Sequence, residues 1–156
     1  MMNSVIMPVH KIHPTAIVHP NAVIGKNVEI GAYAIVGDDV VIGDGCKLYP
    51  HAVIHEHTTV GKNCTFFPGC SIGAVPQDLK FAGEHSSTII GDGCIFRECT
   101  TVNRATGEGN KTIIGNNLLM MAYTHVAHNC IVGNNVIMSN VATLAGHVTV
   151  EDRAVI

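Results

Sequence analysis

Apolar residues recur at every sixth position along almost the whole chain, and this period constrains the fold more than any other feature. Counting from Ile12 to Ile156, 22 of the 25 positions that are multiples of six are apolar. A helix repeats at about 3.6 residues and a half-buried strand at about 2, so neither explains the pattern. A six-residue repeat is typical of a parallel β-solenoid in which each hexad forms one short strand and one corner.

Two further rows keep the same period. Small or β-branched residues follow four places after the apolar ones, as at Ala16, Ala22, Val28, Ala34, Val40 and Cys46. The residue directly after the apolar one is often glycine, which we interpret as the backbone freedom that a corner needs. Three hexads give a coil of about 18 residues, with coils stacked at roughly 4.8 Å, so the sequence predicts about eight coils.

The three exceptions to the period are Asp78, Glu84 and Glu108, and they fall in two places. These places are predicted loops at residues 73–89 and 103–113. Because the hexad phase resumes after both, each loop is expected to project from a corner of one continuous β-helix domain over residues 1–156.

Composition excludes several classes of function. The net charge is -3 and no run of Lys or Arg occurs, which argues against nucleic-acid binding as the main role. No stretch reads as a signal peptide or as a membrane span, so the chain is predicted to be soluble and cytoplasmic. Five of the six cysteines occupy the small row of the hexads, and we interpret them as packing residues rather than disulfides.

Histidines offer the best candidates for chemistry. His128 and Gly146 are 18 positions apart, so the coil length places the Gly146–His147 pair directly over His128. An imidazole beside a backbone N–H fits a general base next to a donor for a developing oxyanion. His125 precedes His128 by three residues, around a corner.

Four segments resemble one known family. They are 77–84 (QDLKFAGE), 117–120 (NLLM), 125–130 (HVAHNC) and 142–148 (ATLAGHV). Together they are similar to the acyl-ACP:UDP-N-acetylglucosamine O-acyltransferases of lipid A biosynthesis, over nearly the whole chain from His13 onward. The hexads alone are shared by many transferases, whereas the loop and histidine motifs are specific.

The resemblance implies an all-β fold, a left-handed parallel β-helix that works as a homotrimer with active sites between subunits. It implies transfer of an (R)-3-hydroxyacyl group from acyl carrier protein to the 3-hydroxyl of UDP-N-acetylglucosamine, without a metal or other cofactor. His128 would be the general base and Gly146 the oxyanion donor. The expected substrate-binding residues are Gln77, Asp78, Lys80, His125 and His147, with Asp78 and Lys80 contacting the nucleotide sugar.

Two departures from the family pattern affect what is expected. Asn129 follows the base where close relatives often have Asp, so another group must orient His128 or its basicity is lower. The family also continues through further coils and a helical region, so a chain ending at Ile156 is expected to leave a coil uncovered and to be weakly active or inactive.

Three other functions fit parts of the pattern. A γ-type carbonic anhydrase would use His125, His128 and His147 as zinc ligands across a subunit interface. A related hexapeptide transferase would acylate an amine or use acetyl-CoA, and a solenoid scaffold would have no catalytic role. Neither the acyl chain length nor the choice between a 3-hydroxyl and a 3-amino acceptor follows from the sequence.

Overall fold

A computed structural model describes residues 11–156 as 21 short strands in three parallel sheets of seven. The first sheet contains β1 (Lys11–Ile12), β4 (Glu29–Ile30), β7 (Lys47–Leu48), β10 (Thr65–Phe66), β13 (Ile95–Phe96), β16 (Leu119–Met120) and β19 (Ile137–Met138). The second contains β2 (Ile17–Val18), β5 (Ile35–Val36), β8 (Val53–Ile54), β11 (Ser71–Ala74), β14 (Thr101–Asn103), β17 (His125–Val126) and β20 (Thr143–Leu144). The third contains β3 (Val23–Ile24), β6 (Val41–Ile42), β9 (Thr58–Val60), β12 (Ser87–Ile90), β15 (Lys111–Ile114), β18 (Ile131–Val132) and β21 (Thr149–Val150).

Consecutive strands belong to different sheets, so the chain winds around a triangular prism and each strand pairs with the one a full coil later. Ile12 pairs with Ile30, and Ile30 pairs with Leu48, which is the predicted 18-residue step. The predicted fold class, a left-handed parallel β-helix, is confirmed. Seven complete coils are formed rather than about eight, and an isolated Ile137–Val155 bridge begins the next.

The two loops explain the smaller number of coils. Ser71 pairs with Thr101, 30 positions on, and Thr101 pairs with His125, 24 positions on. The first loop (residues 75–86) therefore adds twelve residues to one coil and the second loop (residues 104–110) adds six to the next. Both insertions are multiples of six, and this is why the hexad phase survives them. Both loops are shorter than the ranges predicted from the sequence because β11, β12, β14 and β15 extend into those ranges.

The apolar row points into the prism and fills it. From Ile30 to Met138 its members on the strands are buried, and Phe66 stacks on Phe96 with ring centroids 4.9 Å apart. Five cysteines lie in the buried rows with free thiols, as their packing role predicted. Each fully buried aliphatic side chain contributes about 1.5–3 kcal/mol of transfer free energy, so the stacked ladders stabilise the coils collectively.

The corners require a correction to the interpretation of the glycines. Left-handed backbone occurs at a different position, two residues after the usual glycine, where Asn129 has a φ of 58° and Asn135 a φ of 57°. Asparagine tolerates this conformation better than most residues. At Gly43, a Cβ atom would lie only 2.5 Å from the carbonyl oxygen of Gly61 in the next coil. The glycines directly after the apolar row are therefore explained by close approach between coils.

Among residues 11–156 there is no helix that is long and apolar enough to cross a membrane. The sequence-based prediction that no signal peptide is present concerns the start of the chain, whose first ten residues lie outside the described part.

Candidate active site

His128 lies at the corner after β17, and Gly146 lies at the corner after β20, one coil further along. A Cβ atom built on Gly146 would be 2.5 Å from both Cε1 and Nε2 of His128. The imidazole therefore packs flat against the bare Cα of Gly146, where only glycine leaves room for it. The stacking of residues 128 and 146 that was predicted from the 18-residue step is present in the structure.

The backbone around Gly146 is arranged to leave one donor free. The N–H of His147 donates to the carbonyl of His128 at 3.0 Å, whereas the N–H of Gly146 has no backbone acceptor among residues 11–156. The His147 ring meets the His128 ring edge to face, with centroids 5.1 Å apart. A free N–H next to an imidazole is the pair of groups that acyl transfer needs.

The side chain of Asn129 is hydrogen-bonded to the ring of His128. The Oδ1 atom of Asn129 lies 2.9 Å from Nδ1 of His128, and an amide oxygen can only accept a hydrogen bond. This contact fits a neutral ring with its hydrogen on Nδ1 and its lone pair on Nε2. The sequence left open which group orients His128. The structure places Asn129, the departure from the family pattern, in contact with the ring.

A carboxylate approaches His128 from the first loop. Oδ2 of Asp78 lies 3.9 Å from Nε2 of His128, and both side chains are mostly buried. The pKa of Asp78 is lowered, first by the backbone N–H of Lys80 that donates to its Oδ1 at 3.0 Å and then by the charges of His128 and Lys80. An ionised carboxylate at this distance can stabilise an imidazolium formed on Nε2.

His125 projects from the outer face of β17 and is half-buried. Its Nδ1 atom makes a 2.7 Å hydrogen bond with Oγ1 of Thr101 on the preceding coil. Burial lowers the pKa of His125, so the ring is neutral at pH 7. Gln77 and Lys80 are exposed on the first loop, and the structure does not join either side chain directly to His128.

The lowered pKa of His125 leads to a prediction about stability. In the unfolded chain this group titrates near 6.5, whereas the folded protein resists its protonation, so folding stability from His125 is present above 6.5 and is lost as the pH falls below it. We expect the free energy of unfolding of His125→Asn to depend less steeply on pH between about 7 and 5 than that of the unchanged chain. Urea titrations at several pH values measure this, and identical slopes for both proteins would refute it.

Sequence reasoning missed the contacts that bind the two loops to each other. Ser86 donates through its hydroxyl to the carbonyl of Ala105, and Glu84 accepts from the N–H of Gly107 at 2.7 Å. Arg104 connects the second loop to an earlier corner, since it is nine-tenths buried and pairs with Glu56 at 2.7 Å. No sequence pattern indicated these contacts, because none of them follows the six-residue period.

The arrangement gives no support to a zinc site within one subunit. Among the described residues, no group of three His, Cys, Asp or Glu side chains is placed to hold a metal ion. His125 and His128 each use Nδ1 in a hydrogen bond to a neighbouring side chain.

The fold is similar to that of the hexapeptide-repeat transferases. The family model described as "Bacterial transferase hexapeptide (six repeats)" matches residues 21–56 and 39–74. The resemblance inferred from the loop and histidine motifs is confirmed, because the similar proteins carry the same acyltransferase name.

Among curated proteins, the acyl-[acyl-carrier-protein]–UDP-N-acetylglucosamine O-acyltransferase of Stenotrophomonas maltophilia (strain R551-3) is 53% identical over 92 residues, which are 58% of this chain and 35% of the relative. Among solved structures, the UDP-N-acetylglucosamine acyltransferase of Bacteroides fragilis 9343 is 45% identical with a TM-score of 0.89, covering 92% of this chain and 56% of the other. The enzyme from Acinetobacter baumannii has a TM-score of 0.90 at 43% identity, with the same coverage. The chain thus spans about a third of that curated relative and about half of these solved structures.

Proposed function

We propose that this chain carries the catalytic β-helix of an acyltransferase that moves an (R)-3-hydroxyacyl group from acyl carrier protein to the 3-hydroxyl of UDP-N-acetylglucosamine, the first step of lipid A biosynthesis. The observation that carries the proposal is the position of Nε2 of His128. This nitrogen holds a lone pair, packs against Gly146 and lies 3.9 Å from the Asp78 carboxylate. The names of the similar proteins supply the two substrates.

The mechanism follows from the charges at this position. Nε2 of His128 takes the proton of the sugar 3-hydroxyl as the oxygen attacks the thioester carbon, and Asp78 stabilises the resulting imidazolium. The carbonyl oxygen becomes an oxyanion that accepts a hydrogen bond from the N–H of Gly146. Collapse of this intermediate breaks the C–S bond, and the carrier thiolate takes the proton from the imidazolium. Such a base contributes typically ~10²–10⁴ in rate, and one oxyanion donor ~2.7–4 kcal/mol.

The other candidate residues surround the base and are proposed to hold the nucleotide sugar. Asp78 and Lys80 would contact the sugar nucleotide from the first loop, together with Gln77. His125 and His147 would line the acceptor site from the strand before and from the coil after His128. No metal and no nucleophilic side chain is needed, because the acyl group passes directly from thioester to hydroxyl.

The proposed assembly is a homotrimer with the site in a cleft between subunits. Its support is the outer face of the third sheet, where β-branched residues form an exposed apolar ladder that includes Val23 (60% exposed) and Ile131 (49% exposed). Apolar ladders of this kind are suited to burial against another subunit. Light scattering should give three times 16.5 kDa, and a monomer at micromolar concentration would contradict the trimer. A cytoplasmic location stays a prediction.

Acyl transfer by this chain tests the proposal directly. The chain at a concentration equal to that of the substrates is mixed with (R)-3-hydroxyacyl carrier protein and UDP-N-acetylglucosamine, and mass spectrometry follows the acylated sugar nucleotide. Product should form slowly with the chain, as expected of a weakly active form, and not with His128→Ala. A parallel reaction with the 3-amino analogue distinguishes the two acceptors, and one with acetyl-CoA tests the related transferases. Absence of product above the His128→Ala level would overturn the proposal.

A further inference from the structure

The side-chain amide of Asn129 is held at both ends by one residue of the second loop. The backbone N–H of Thr106 donates to Oδ1 of Asn129 at 2.8 Å, and Nδ2 of Asn129 donates to the carbonyl oxygen of Thr106 at 3.0 Å. The same Oδ1 atom also accepts the hydrogen bond from His128. These three contacts connect the second loop to the imidazole.

The two contacts with Thr106 fix the orientation of the Asn129 amide, because a backbone N–H can only donate and a backbone carbonyl can only accept. A backbone N–H can face only the oxygen end of the Asn129 amide, and a backbone carbonyl can face only its nitrogen end. The amide is therefore fixed in one of its two flipped orientations, the one that presents oxygen to His128. In the other orientation Nδ2 would face Nδ1 of His128, and the ring would favour the tautomer with its hydrogen on Nε2.

We infer that Asn129 and the backbone of Thr106 form a neutral clamp that holds His128 in the Nδ1–H tautomer, so that Nε2 is the base. The inference rests on the proposed function for its catalytic meaning, whereas the tautomer itself is a property of the folded chain. Asn129 and Thr106 are positioning residues, since neither reaches Nε2. The second loop, which sequence reasoning treated only as a projection, becomes part of the active-site machinery.

The clamp is itself anchored. The carbonyl oxygen of Thr106 accepts a second hydrogen bond, from Nδ2 of Asn110 at 2.9 Å, and the backbone N–H of Asn129 donates to Oγ1 of Thr112 at 2.9 Å. The next residue, Gly107, donates to Glu84 in the first loop. The two partners of His128, Asn129 and Asp78, are thus positioned by loops that are bonded to each other.

The clamp also explains why an amide suits this position. A carboxylate at residue 129 would keep the contact with the N–H of Thr106 but would turn its second oxygen toward the Thr106 carbonyl, where both groups are acceptors. The clamp depends on an amide at residue 129, and we expect Asn129→Asp to lose the contact with the Thr106 carbonyl.

Nuclear magnetic resonance tests the inference on the chain itself. Long-range ¹H–¹⁵N correlation of the histidine rings distinguishes a protonated nitrogen from an unprotonated one, and the signals of His128 are those that disappear in His128→Gln. We expect Nδ1 to be protonated in the unchanged chain above pH 7.5. In Asn129→Gly, which removes the amide without straining the left-handed backbone, the Nδ1–H to Nε2–H ratio should fall by roughly 2- to 10-fold, as expected for losing one hydrogen bond.

Two matched variants separate the clamp from general structural effects. Asn135→Gly removes an asparagine from an equivalent left-handed corner and should leave the His128 signals unchanged. Thr106→Ala keeps both backbone contacts to Asn129 and should leave the ratio of the two His128 tautomers unchanged, whereas Thr106→Pro removes the N–H and should lower that ratio as Asn129→Gly does. An Nε2–H tautomer in the unchanged chain, or no change in Asn129→Gly, would overturn the inference. A correct tautomer without acyl transfer would instead count against the proposed function alone.

Discussion

His128→Ala is expected to lower the rate of acyl transfer about 10²–10⁴-fold, because the variant has no base for the sugar hydroxyl. The fold should be unaffected, since His128 lies at a corner outside the apolar ladders. Product formation under single-turnover conditions measures the rate, and thermal unfolding checks the fold. Loss of the imidazole also leaves Oδ1 of Asn129 with its contact to Thr106, so no buried acceptor is left unpaired.

His19→Ala is the matched control for this variant. His19 is also a corner residue with a nearby carboxylate, since its Nδ1 atom lies 3.1 Å from Asp38, but it belongs to an early coil away from both loops. Its rate should equal that of the unchanged chain. If His128→Ala and His19→Ala were equally active, the role of His128 as base would have to be abandoned, and the scaffold interpretation would gain support.

Gly146→Ala should lose much activity and only a little stability. The added methyl group would lie 2.5 Å from the imidazole of His128, so the ring must move and give up its hydrogen bond to Asn129, whereas no backbone has to shift. The displaced ring would no longer lie next to the sugar hydroxyl or next to the N–H of residue 146. Because alanine keeps the backbone N–H of residue 146, the loss should be that of a displaced base, and we expect transfer to slow by ~10²–10⁴-fold.

Gly115→Ala provides the contrast. There the new Cβ atom would meet the backbone carbonyl oxygen of Gly133 at 2.6 Å, and two stacked coils cannot separate easily. This variant should be clearly less stable, in contrast to Gly146→Ala. Adding Gly146→Ala to His128→Ala should cause little further loss of activity, because the methyl group then meets no imidazole and the backbone N–H is kept. A Gly146→Ala protein with a normal rate would show that the imidazole does not act where it packs.

The sequence predicted the prism and the stacking of His128 under Gly146 because both depend only on a period. The inserted loops add twelve and six residues, and both numbers are multiples of six, so the hexad phase is the same before and after each loop. The prediction counted these residues as part of the coils, and the predicted number of coils was therefore one too high. The interpretation of the glycines was wrong for a related reason, since a period shows where a small residue is needed and not whether a turn or a neighbouring coil requires it.

The loop conformations could not be predicted, because they have no period. Asp78 lies close to His128, and Thr106 is hydrogen-bonded to Asn129. Both contacts depend on how the first and second loops fold against each other. Asn129 was consequently interpreted as a missing carboxylate, whereas the structure gives the orienting role to its amide and places a carboxylate on the other side of the ring.

A crystal structure of the chain with bound UDP-N-acetylglucosamine would show whether His128 faces the acceptor hydroxyl. The distance to measure is that between the sugar 3-hydroxyl oxygen and Nε2 of His128. We expect about 2.6–3.2 Å, with the Gly146 N–H directed at the space beside the hydroxyl where the thioester carbonyl oxygen would lie. A sugar bound with its 3-hydroxyl well out of hydrogen-bond reach of Nε2, or bound on another face of the β-helix, would contradict it.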